Sequence, residues 1–230
     1  MENNTTAKAK KGLNLMGKIL LVTMIPLLFL TIMAGTSIRS VGKTTGARMA
    51  EHELHATTYA MEQTLEVLAE GDFSSDGNSI YKGDVNLSEN EAFLDQFREA
   101  TDVDVTIFWG DTRMATSIKD KNGNRVLGTK ASASIYEHVM NGGTYFVESV
   151  IVESVMVEGK EYYGYYDALK NTDGTIVGMV FTGMEADEVH AIYESLMKSN
   201  VIFMVIIMLI SCGVIVLVTK QLGAAILGIV

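Results

Sequence analysis

Charge is missing from two stretches of this chain, cysteine from all but one position, and the common catalytic motifs throughout. The only cysteine, Cys212, lies inside the second uncharged stretch. No disulfide can therefore form within one chain, and any outer domain must be held by its core alone. The ~160 residues between the stretches are enough for that. No GxSxG, HExxH, P-loop or CxxC pattern occurs, which leaves no case for catalysis. Histidine numbers only four. His52 and His55, three apart beside Glu51, have a spacing that would suit a metal on a helix, but no third ligand accompanies them. They read as solvated, His138 and His190 are isolated, and no metal or cofactor is expected. Asp102 and Asp104 read as solvated surface rather than as a hydrolase pair.

What is present is two long apolar runs around an acidic middle. Residues 19–38 read ILLVTMIPLLFLTIMAGTSI and residues 201–218 read VIFMVIIMLISCGVIVLV, neither with a charge. At about 1.5 Å per residue each run can cross roughly 30 Å of hydrocarbon. The single proline, Pro26, sits inside the first run, where a membrane span tolerates it better than a soluble helix does. Lys8, Lys10, Lys11 and Lys18 precede the first run and Lys220 follows the second, so both flanks are expected in the cytoplasm. Residues 39–200 carry 13 Lys and Arg against 27 Asp and Glu, a net of −14 beside −10 for the whole chain. An acidic outer domain repels anionic lipid and nucleic acid, so neither is an expected partner. A cleaved signal peptide is the competing reading of the N-terminus. The first run is longer than the usual ~7–15 residue signal core, and no small-x-small cleavage site stands out near 34–37. The expected organisation is a cytoplasmic tail (1–18), a span (19–38), an extracellular domain (39–200), a second span (201–219) and the start of a cytoplasmic linker (220–230).

Within the middle, Ala47, Ala50, Leu54, Met61, Leu65 and Leu68 recur at helical spacing, with Thr57 and Thr64 filling seam positions. Such a seam packs either on its own sheet or on a second copy. Residues 73–87 are rich in Ser, Asp, Gly and Asn and read as a loop. Residues 88–100 read as a helix with a capping box, Ser88 to Glu91. The period then becomes two. Residues 103–109 and 112–118 read as strands, 131–140 as a helix stopped by Gly142–Gly143, and 144–157, 160–169 and 175–184 as three further strands. A bulge is expected near Glu153–Ser154. Residues 185–200 read as an exit helix running into the second span. The class is α+β with one central antiparallel sheet. A ligand that shifts the entry helix against the exit helix could then move a span.

At the strand pair the chain resembles a family. The runs DVTIFWGDTRMATSI (104–118), NGNRVLGTKAS (122–132) and GKEYYGYYDALKNTDGTIVGMVFTGME (159–185) resemble the extracellular single Cache sensor domains of bacterial methyl-accepting chemotaxis receptors and of some sensor kinases. Together, the GDTR-x-ATS run and the spacing of Gly174 and Gly178 carry the resemblance, whereas Ala168 stands where such domains often have proline. The resemblance implies a PAS-like fold with a long N-terminal helix, placed between spans, in a bacterial cytoplasmic membrane. It also implies a HAMP-like linker and an output domain beyond Val230.

The resemblance further implies that a ligand lies on one face of the sheet. Alternation puts Tyr162, Gly164 and Tyr166 on one face and Tyr163 and Tyr165 on the other. The resemblance places the ligand on the Tyr162/Tyr166 side, bordered by Arg113, Thr116 and Phe181. Tyr145, Lys130 and Ser132 would be lids and Trp109 a cap. Arginine presents a planar fork to a carboxylate, and tyrosines donate hydroxyls while their rings exclude water. The alternatives are that Arg113 pairs with Asp111, and that the tyrosines and Trp109 are simply core. The expected function is a dimeric transmembrane chemoreceptor for a small metabolite, an organic acid being favoured. A histidine kinase or cyclic-dinucleotide enzyme sensor, or a membrane-tethered protein-interaction module, are the alternatives.

Overall fold

The computed structural model describes residues 15–151 and 161–227. In chain order the elements are α1 (Leu15–Leu68), β1 (Phe73–Ser75), β2 (Ile80–Lys82), β3 (Val85–Asn86), α2 (Glu91–Thr101), β4 (Asp104–Trp109), β5 (Thr112–Thr116), α3 (Ala133–Met140), β6 (Tyr145–Ile151), β7 (Glu161–Lys170), β8 (Ile176–Glu185) and α4 (Ala186–Leu227). The described residues fall into two units. One comprises the chain up to Val41 and from Glu194 onward; the other is Gly42–Tyr193.

The first unit is helical and apolar. Gly17–Ser37, with a mean hydropathy of 2.3, and Met197–Gln221, with 3.3, are long and apolar enough to cross a membrane. Neither apolar window is buried. The hydroxyls of Thr23, Thr31 and Thr219 donate back to the carbonyls of Ile19, Leu27 and Ile215 at 2.7–2.9 Å, so each is satisfied inside its own helix.

The second unit is built on a five-stranded antiparallel sheet in the order β5-β4-β8-β7-β6. Alternating residues feed two faces, as expected. One face carries Tyr163 and Tyr165 with Ala47, Ala50 and Leu54 of α1 and Ala186 and Val189 of α4. Further along the same face Val105, Ile107, Leu169 and Val180 meet Met61 and Leu65 of α1, Leu94 of α2 and Ile80 of β2. The other face carries Phe108, Met179, Phe181, Tyr162 and Tyr166 under Ile135 and Val139 of α3.

The buried stripe of α1 is Ala47, Ala50, Leu54, Thr58, Met61 and Leu65. Those steps follow the 3.6-residue period of a straight helix lying on a sheet, and Thr58 takes the place expected for Thr57. Its hydroxyl, 2.8 Å from the Leu54 carbonyl, pairs at 2.6 Å with that of Thr182 on β8. This stripe is used within the domain, so it is not the face through which a second copy would pack.

Two local expectations are corrected. Residues 73–87 are not a plain loop: they fold into a small antiparallel sheet, β1-β2-β3. Phe73, Ile80 and Leu87 anchor it in the core, which the polar composition between them concealed. Ser88 does not cap α2, whose N-cap is Asn90, without a side-chain bond. Instead Ser88 Oγ accepts from the Ile80 amide at 3.0 Å and donates to the Met114 carbonyl at 2.8 Å. It ties the small sheet to β5. The bulge expected at Glu153–Ser154 lies outside the described residues. Among those described, β6 shifts register between Val147 and Val150.

Candidate functional site

The sheet register assembles the site. One row runs across all five strands: Thr116 on β5, Thr106 on β4, Phe181 on β8, Tyr166 on β7 and Tyr145 on β6. The adjacent row runs Arg113, Phe108, Met179 and Ala168.

Arg113 and Thr116 are three residues apart, so in a regular strand they would face opposite ways. A bulge resolves this. Between the pairs Ile107/Ala115 and Phe108/Arg113, β5 holds one extra residue, Met114. Met114 and Ala115 both turn into the core beneath α1 and α2, and Arg113 returns to the Thr116 face. Its guanidinium carbon sits 5.5 Å from the centroid of the Phe108 ring.

Lys82, Asp104 and Arg113 are the buried charged residues among those described. Two of them are paired. Lys82 Nζ bonds Glu66 at 2.7 Å, and Asp104 Oδ1 meets Arg98 Nε at 2.8 Å. Arg113 is not. It is 5 % exposed, and its Nε and Nη1 reach no hydrogen-bond partner. Burial lowers its pKa from the usual arginine range, while Tyr166, Tyr162 and Asp104 act in the other direction. The expected alternative partner, Asp111, is taken. It holds Lys130 at 2.8 Å, and that contact depresses its pKa.

Aromatic walls surround the guanidinium. Tyr166 and Phe181 lie 4.8 Å apart by centroid, and Phe108 and Tyr166 6.2 Å. Burial pushes the Tyr166 hydroxyl up to about 12, against the opposing pull of Arg113. Burial first, and then Asp104, push Tyr162 upward as well. Both phenols therefore keep their protons at neutral pH and remain donors. Tyr162 donates a hydrogen bond to Asp104 Oδ2 at 3.3 Å. Gly183 leaves room for this packing, since a Cβ there would run into the Phe181 ring. Thr106 and Thr116 pair their hydroxyls at 2.7 Å.

Of the nine residues expected at the site, Arg113, Thr116, Tyr162, Tyr166, Phe181 and Tyr145 share this face. Tyr145 packs at its edge, with its ring 5.4 Å from that of His138 on α3. Three others have different surroundings. Trp109 packs on the opposite face, in the core with Met61 and Leu65 of α1 and Leu94 of α2, because it follows Phe108 by one residue. The Lys130 side chain is 67 % exposed, with its amine on Asp111. Ser132 is the N-cap of α3, its Oγ accepting from the Ile135 amide. Sequence reasoning also missed residues. Asp104 is buried, not solvated, and it holds Arg98, Ser117 Oγ at 2.7 Å and Tyr162. The alternation of DVTIFW, which puts Asp104, Thr106 and Phe108 on one face, was the available signal.

Taken together, this face presents aromatic surface, protonated phenols and a buried guanidinium with free N–H groups. Such a surface is suited to hold an anion.

Residues 85–196 match the family described as single cache domain 3. No sequence among curated proteins matches the chain. Among solved structures it is similar to the ligand-binding domain of the Campylobacter jejuni chemoreceptor Tlp3 in complex with L-valine, at 13 % identity and a TM-score of 0.44. That alignment covers 74 % of this chain and 65 % of that one. The same domain with L-norvaline aligns at 16 % identity and a TM-score of 0.47, over 73 % and 63 % of the two chains. The E. coli DcuS sensor domain aligns at 13 % identity and a TM-score of 0.38, over 66 % and 96 %. The chain thus spans about two-thirds of the Tlp3 domain's length.

Proposed function

From the premise that residues 85–196 form a single Cache domain, we propose that this chain is the sensory part of a transmembrane receptor that binds a small extracellular carboxylate. The observation that carries the reading is the guanidinium of Arg113, 5 % exposed, with Nε and Nη1 unpartnered. Leaving a buried donor unmade costs about 1–3 kcal/mol, and more for a charged group. A fold keeps such a cost where a ligand relieves it, and a carboxylate fits the fork with two parallel bonds. Tyr166 supplies a further hydroxyl, and Phe108 and Phe181 supply the apolar walls.

The reading is one of binding rather than chemistry. Gly17–Ser37 and Met197–Gln221 are the membrane spans, with the Cache domain outside a bacterial cytoplasmic membrane. The receptor acts as a dimer and hands its signal to a cytoplasmic output of the chemotaxis type. The test is thermal unfolding of the chain in detergent, with and without each member of a panel of small carboxylates. A ligand at 100 times its Kd adds about 2.7 kcal/mol of stability. The stabilisation should disappear in Arg113→Ala. A shift that persists unchanged in that variant removes Arg113 as the anchor, and with it the carboxylate reading.

A further inference from the structure

The same face holds a second charge, and its state bears on which carboxylates the site accepts. An α-amino acid brings an ammonium group beside its carboxylate. Burying that ammonium is costly unless an acceptor, preferably an acid, receives it. Among the described residues the buried acid is Asp104, which lies in the field of Arg113 on the same sheet face. Its charge is already met by Arg98, and both of its oxygens accept hydrogen bonds. Oδ1 meets Arg98 Nε at 2.8 Å and accepts from Ser117 Oγ at 2.7 Å, and Oδ2 accepts from Tyr162 at 3.3 Å. Thr106 and Thr116, the neighbouring polar pair, bond to each other. Of these two buried charges, the unpaired one is therefore that of Arg113.

Arg98 comes from α2, not from the sheet, and its side chain is half exposed. It neutralises Asp104 from the neighbouring helix. The loop after α2 fixes its reach: Asp102, in the left-handed conformation, returns its N–H to the Arg98 carbonyl at 2.8 Å and starts the turn into β4.

We propose that Arg98 is a specificity-determining residue. By neutralising Asp104 it removes the free negative charge an ammonium would need, so the site takes plain carboxylates and rejects the α-amino acids of the same carbon skeleton. The inference rests on the carboxylate reading above.

Matched pairs that differ only by the amino group test it: propionate and L-alanine, isovalerate and L-valine, succinate and L-aspartate. Affinities are measured by calorimetry and by thermal shift on the chain in detergent. In the natural protein the carboxylate member of a binding pair should be favoured at least about tenfold. Arg98→Gln frees Asp104 and should narrow or invert that ratio, chiefly by gain of the amino acid. Arg98→Lys keeps a cation on Asp104 and should preserve it. Equal affinity within the pairs, or a ratio unmoved in a folded Arg98→Gln protein, overturns the inference and leaves the carboxylate site standing. Silence from every carboxylate, in the natural protein and in Arg113→Ala alike, overturns the carboxylate site itself. The comparison within the natural protein needs no variant to fold.

Discussion

Replacing Arg113 by methionine should make the ligand-free protein more stable while abolishing its response to carboxylates. Two guanidinium donors, Nε and Nη1, are buried without partners. At about 1–3 kcal/mol for each unmade bond, the native side chain carries a substantial penalty. Its position 5.5 Å from the Phe108 ring centroid returns about 1–2 kcal/mol. Methionine has similar length, needs no hydrogen bond, and can place sulfur against the same ring for about 0.3–1.5 kcal/mol. Exchanging a buried charge for apolar volume is commonly neutral to stabilising by about 1–4 kcal/mol. The net expectation is a gain of about 1–3 kcal/mol. For a domain of this size that raises the melting temperature by about 3–10 °C. The assay is thermal unfolding followed by circular dichroism, with and without a stabilising carboxylate. Ligand should reverse the order, because at 1,000 times Kd the natural protein gains about 4.1 kcal/mol and the variant none. A ligand-free Arg113→Met protein that melts several degrees below the natural one would refute the reasoning. The guanidinium would then be serving the fold.

Two further outcomes are expected. Glu62 on α1 borders a cavity of about 220 Å³ together with Glu66, Asp167 and Lys170, and its Oε1 is unpartnered. Burial, and then Asp167, raise its carboxyl pKa to about 7. A carboxyl whose pKa rises on folding stabilises the fold fully below its unfolded value, and that contribution is lost as pH rises through the folded one. Stability should therefore decline between about pH 4.5 and 7, and urea titrations at several pH values should show the decline flattened in Glu62→Gln. Thr58→Val deletes the hydroxyl that binds the Leu54 carbonyl and Thr182 across the α1–β8 contact. It should cost about 1–2 kcal/mol in urea unfolding, and an unchanged midpoint would mean the pair contributes nothing.

Local period decided much of this protein before any folding. Two uncharged runs specified the apolar helices, since hydropathy and length need no partner to be read. Period-two alternation in EYYGYYDALK separated Tyr162 and Tyr166 from Tyr163 and Tyr165. The turn at Asn171–Gly174 was equally local: the Gly174 amide bonds the Asn171 carbonyl, and Gly174 takes a positive φ of 84°. Tertiary structure decided the rest, because cross-strand register and long-range partners leave no local trace. The bulge at Met114 turns Arg113 onto the tyrosine face, and it is defined only by the pairing of β5 with β4. Whether Asp111 holds Arg113 or Lys130, and whether Asp104 is solvated or buried, depended on side chains 19 residues away and on a helix packed across the strand. The small sheet within residues 73–87 formed because three apolar side chains reached a core made elsewhere. Composition could supply the arginine and the aromatic residues; only the register across five strands could place them on one face.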